Sequence, residues 1–94
     1  MHPLAQALPG ALVELLRDAP LSPGKVTFAW RAAVGPALER VTTARLEGRA
    51  LVVEAESAQW AREVSRSAGV ILTRLKTLLG TDAVGTIQVQ VRKP

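Results

Sequence analysis

The side chains able to do chemistry are few, and their spacing narrows what that chemistry is. Glu54 and Glu56 stand at i and i+2, which puts two carboxylates on one face of a strand. Such a pair is raw material for general acid and base catalysis. Arg45 and Arg92 fall on segments able to balance it across a sheet, so a solvated ion-pair set is the expected role. The 94 residues contain no cysteine and one histidine, His2, near the start of the chain. That excludes disulfides, thiolate metal sites and cysteine nucleophiles, and leaves almost no room for a Ser-His-Asp arrangement or a histidine metal site. No glycine loop of the kind that cradles phosphates occurs. The chain reads as a non-enzyme, with no cofactor, no metal and no small-molecule substrate.

What remains is binding. Twelve Lys and Arg oppose eight Asp and Glu, a net charge of +4. A basic balance in a small domain favours nucleic acid or an acidic protein surface. Arg62 and Arg66 lie one helical turn apart, with Arg74 and Lys76 further along the same periodic segment. Arg45 and Arg49 belong to a hairpin, and Arg92 and Lys93 close the chain. These eight are the candidate contacts to phosphates or to an acidic partner, set against the plainer role of a solvated face with local ion pairs such as Arg62 with Glu63. The only aromatic residues are Phe28, Trp30 and Trp60. Both tryptophans fall on the apolar stripes of their helices and are assigned to core packing, whereas Phe28 falls off the stripe and is expected at the surface. So few rings cannot stack bases one by one.

The elements that must position these residues follow from periodicity and punctuation. A short helix is expected over residues 9–17, after a flexible lead-in at 1–8. A second helix starts at Ser22, a preferred cap, with Pro23 in the first turn. Val26, Ala29, Trp30, Ala33 and Ala37 recur at i, i+3, i+4 spacing along it. Gly35-Pro36 must kink or break this helix, because proline removes a donor and disfavours helical backbone before it. Residues 42–46 and 51–56 alternate about Glu47-Gly48-Arg49, the mark of a hairpin with one apolar and one wet face. Ser57 caps a long helix over 58–79, ended by Gly80, with Trp60, Val64, Ile71 and Leu75 on its inner face. Gly69 on its polar side suggests either a close approach or a tolerated glycine. A last strand runs over 86–92 with Ile87, Val89 and Val91 inward. The order α-α-β-β-α-β predicts one α+β domain over 1–94, a three-stranded sheet with helices packed on one face, the direction of the last strand left open.

Several of these segments also resemble a known family. Trp30-Arg31-Ala32-Ala33-Val34-Gly35-Pro36-Ala37-Leu38 resembles the Trp-x-x-Val-Val-Gly-x-x-Leu segment of the DciA family, bacterial partners of the replicative helicase DnaB. Leu46 to Val53 is similar to that family's hairpin, here reading Gly48-Arg49-Ala50-Leu51. Ser57-Ala58-Gln59-Trp60-Ala61-Arg62-Glu63 resembles its Ser-x-x-Trp-Ala-x-Glu helix opening, with Val64 where a Leu is common. Leu72-Thr73-Arg74-Leu75-Lys76 and Leu78-Leu79-Gly80 resemble the helix end before its closing strand. The resemblance implies a KH-like domain that contacts DnaB and assists its loading or activity in DNA replication. Members often carry a basic tail that engages DNA; this sequence ends at Pro94, directly after the last strand.

On that basis the partners expected are DnaB and, more weakly and without sequence preference, single- or double-stranded DNA. Trp30, Gly35 and Trp60 are expected to be structural. No Gly-x-x-Gly occurs, so the backbone clamp of an RNA-binding KH module is missing. A general nucleic-acid-binding KH-like module and a self-associating structural domain stand as the alternatives. No apolar run approaches 18 residues, and a cytoplasmic, nucleoid-associated protein is expected.

Overall fold

Ser22 starts the first described helix as its composition requires. Its Oγ accepts the backbone N–H of Lys25 at 3.1 Å, and proline occupies the first turn. The structure, a computed structural model, describes Gly10 and residues 19–92. Its elements are α1 (Pro23–Glu39), β1 (Thr42–Glu47), β2 (Ala50–Ala55), α2 (Ala58–Arg66), α3 (Ala68–Leu79) and β3 (Thr86–Val91). The helix expected over 9–17 and the lead-in at 1–8 lie outside the described residues, except for Gly10, which is helical. The described order is therefore α-β-β-α-α-β, an α+β domain as expected.

The sheet order is β1-β2-β3. β1 and β2 pair antiparallel across the two-residue turn Gly48-Arg49, with Leu46 opposite Leu51 and Thr42 opposite Ala55. β3 pairs parallel to β2, with Leu51 beside Ile87 and Val53 beside Val89. Parallel pairing follows from the two helices between them, which return the chain to the starting end of β2.

The helices α1, α2 and α3 cover one face. Val26, Ala29, Trp30 and Ala33 of α1 meet Leu51 and Val53 of β2, Val64 of α2, and Ile71, Leu75 and Leu78 of α3 in one buried cluster. Each fully buried aliphatic side chain contributes about 1.5–3 kcal/mol, and with one tryptophan in the cluster the core is almost wholly aliphatic. The opposite face is not uniformly wet. Val52, flanked in register by Arg45 and Gln88, is buried on that side, shielded in the central strand by its longer neighbours.

The break expected at Gly35 is present. Gly35 adopts φ 84, ψ 172, outside helical space, inside what is otherwise a continuous helix. Arg31 Nε and Glu39 Oε1 meet at 3.3 Å across it. Eight residues of straight helix would separate them by about 12 Å along the axis, so the kink is what brings them together.

The single helix expected over 58–79 is instead two. Ser67 takes φ −99, ψ 6; its N–H bonds back to Glu63 and Val64, and its carbonyl accepts from Ile71. Ser67-Ala68-Gly69 gives little side-chain bracing against such a turn. Periodicity does not register the break because Val64 and Ile71, on either side of it, both enter the core.

Candidate functional site

The eight candidate cations fall into distinct environments. Arg45 lies on the open sheet face, its Nε 2.6 Å from Glu47 and its Nη1 3.2 Å from Glu54. The hydrogen bond to Glu47, then that to Glu54, raises its guanidinium pKa above the ordinary arginine value. This is the cross-sheet balance expected of Glu54. Glu56 lies past the end of β2, exposed, and does not join it.

Arg49 and Arg74 are occupied by backbone. Arg49 Nε donates to the carbonyl of Asp82 at 3.1 Å, fastening the hairpin turn to the segment between α3 and β3. Arg74, half-buried, donates from Nη1 to the carbonyl of Ala33 at 2.9 Å and so docks α3 against α1 just before the Gly35 kink. That carbonyl, freed by the end of regular helix, is a natural partner for a charged donor.

The break at Ser67 also divides the basic stripe. Arg62 and Arg66 remain together on α2, exposed. Lys76 is on α3, half-buried in its last turn, where a cation complements the carbonyl end of a helix. A shallow concavity beside it is lined by Thr73, Thr77, Gly80 and Asp82, whose carboxylate opposes the positive sign. Arg66 pairs with Glu63 at 3.4 Å; Arg62 and Arg92 pair with no acid among the described residues. Lys93 lies outside the described residues. Among these eight, the exposed cations with neither an acidic nor a backbone partner among the described residues are thus Arg62 on α2 and Arg92 after β3; Arg40, exposed after α1, is likewise unpaired there.

The two tryptophans differ. Trp30 is 2% exposed, and its Nε1 donates to Thr42 Oγ1 at 2.9 Å, so its ring is packed in the core where its apolar stripe puts it. Trp60 is only half-buried and stands outside the buried cluster, contrary to the core position its stripe suggests. It sits in the first turn of α2, where Ser57 Oγ accepts its backbone N–H, and the residues before it in that turn, Ala58 and Gln59, are exposed. Phe28 is exposed as expected. A Cβ added at Gly69 would meet nothing within 4 Å among the described residues.

Two features escaped the sequence reading. Lys25, counted there among the basic residues, is buried, and its Nζ donates to the carbonyl of Ala19 at 2.6 Å. An apolar groove of about 370 Å³ opens between the start of α1 and β1, walled by Leu21, Pro23, Val26, Ala44 and Leu46. Its walls come from two elements twenty residues apart, which no local pattern can reveal.

The segments that carried the resemblance prove to be devices of the fold: the buried indole of Trp30, the Gly35 kink and the Ser57 cap. A family model described as Dna[CI] antecedent, DciA, matches residues 3–89, nearly the whole chain. The chain belongs to the DciA family. No curated relative matches it. DciA membership implies a helicase-loader-type role in DNA replication. Among the described residues no helix is long and apolar enough to cross a membrane.

Proposed function

We propose that this DciA-family domain is a non-catalytic replication module that contacts the replicative helicase DnaB and assists its loading or activity. The family match over residues 3–89 carries this reading. We read the fold as KH-like and residues 1–94 as one cytoplasmic domain. Arg62, Arg66 and Arg92 supply exposed positive charge, with Lys93 next in sequence, and weak contact to DNA through phosphates is a secondary activity. The lack of cysteine and of a phosphate-cradling loop supports a binding role without catalysis.

The test is capture of DnaB by the full chain in the absence of nucleotide and divalent ions, repeated at rising salt. Binding that survives high salt is expected, because a specific protein interface has an uncharged core. Binding to any polyanion that collapses with salt, with no retention of DnaB, would replace this reading with that of a general nucleic-acid module. A requirement for ATP or a metal held by this chain would also overturn it.

A further inference from the structure

The free edge of β3 differs from the other edge of the sheet. β1 carries Arg45 and Glu47, charges of the kind that discourage strand-to-strand association. β3 reads Thr86-Ile87-Gln88-Val89-Gln90-Val91, with no charge, proline or glycine, and with four β-branched residues of high strand propensity. It is a sheet edge with nothing paired to its outer side among the described residues. Thr86, Gln88, Gln90 and Val91 are exposed, and Val91 is 46% exposed although its register places it on the core face.

The backbone direction is fixed by the pairing to β2. The N–H groups of Thr86 and Arg92 reach the carbonyls of Arg49 and Ala55. Backbone groups alternate along a strand, so the even-numbered residues face β2. The N–H and C=O groups of Ile87, Val89 and Val91 therefore turn outward.

We infer that β3 pairs antiparallel with β3 of a second copy of this chain, about a two-fold axis at Val89. This register sets Val89 opposite Val89 and Ile87 opposite Val91, the residues whose backbone groups point outward, so each such pair exchanges both bonds. On the helix-covered face it places apolar beside apolar and covers the exposed Val91. On the open face it places Gln88 opposite Gln90, two uncharged amides able to bond to each other. A register centred on Gln88 would leave Val91 uncovered beyond Thr86. The strand complements itself in sign, face and backbone direction, and a second copy is the partner that those features together select.

The experiment is sedimentation velocity of the full chain over a range of concentrations, with thermal melts to confirm the fold. A monomer–dimer equilibrium is expected. Gln88→Lys with Gln90→Lys puts like charges opposite each other twice and should weaken the dimer by about tenfold. Gln88→Lys with Gln90→Glu puts opposite charges there and should hold it at or above the unmodified level. A chain that stays monomeric to millimolar concentration would overturn the inference and leave the edge to an extended segment of another protein. A dimer indifferent to both variants would place the interface elsewhere. A dimer weakened equally by both would exclude the Val89-centred register. Because helicase capture is not read in this assay, failure of the pairing leaves the helicase reading intact.

Discussion

The indole N–H of Trp30 donates to Thr42 Oγ1 at 2.9 Å, and the same hydroxyl donates to the carbonyl of Leu38 at 2.6 Å. One side chain on β1 thus satisfies a buried donor in the body of α1 and adds a second donor to a carbonyl near its end that also accepts the N–H of Val41. Thr42→Val keeps the shape and removes both bonds. The buried indole would be stranded, at a cost of about 1–3 kcal/mol, while Thr42→Ser should recover most of it. Chemical denaturation of the two variants measures the difference.

Gly35 occupies φ 84, ψ 172, a region essentially closed to residues with a Cβ. A Cβ there would meet nothing within 4 Å, so the penalty is backbone strain without collision. Gly35→Ala is expected to destabilise by about 1–3 kcal/mol. Gly69→Ala, on an exposed helical turn with equally open space, should be neutral or stabilising. Comparing their melting temperatures separates a required conformation from a tolerated glycine.

Caps, hairpin and kink were legible because each is written in adjacent residues: Ser22-Pro23, Gly48-Arg49, Gly35-Pro36, Ser57 and Gly80. The division of 58–79 was not. A helix that bends at Ser67 yet keeps Val64 and Ile71 in one core carries an unbroken apolar phase, and phase is all that spacing records. The direction of β3 was open because no local residue encodes it; the core shared by α2, α3 and both strands sets it. The charged residues were the least legible. Arg74 finds its carbonyl 41 residues away, and Lys25 is buried by a bond to backbone upstream, so composition could count these cations but not tell which were free.

That distinction predicts opposite behaviours among arginines. Arg62→Ala with Arg66→Ala should leave the melting temperature within a degree or two, since both are exposed and the one ion pair, with Glu63, is worth little. It should lower the log–log salt slope of DNA binding by about 2, the loss of roughly one phosphate contact each. Arg74→Ala should leave that slope unchanged and cost about 1 kcal/mol of stability through its half-buried bond to Ala33. Salt titrations and melts on both variants give the comparison, and a slope unaffected by the double change removes α2 from the DNA surface.

The unequal burial of the tryptophans sets a further contrast. Trp30→Ala empties a site within the core and should cost about 3–5 kcal/mol, enough to unfold a domain this small. Trp60→Ala should cost less than about 2 kcal/mol, because the ring retains solvent contact in the folded state. Equal losses would show that Trp60 anchors α2 as firmly as Trp30 anchors α1.

The same contrast gives the molecule an optical property. The chain contains no tyrosine, so its near-ultraviolet emission comes almost wholly from these two indoles. The one at Trp30 sits buried against aliphatic neighbours, so its emission is expected at the blue end and out of reach of dissolved iodide. The one at Trp60 is open to water and quencher, on the helix that also bears Arg62 and Arg66. A ligand arriving on that helix would shield one lamp and leave the other untouched, so a single quenching curve resolves into a reporter of the fold and a reporter of the surface.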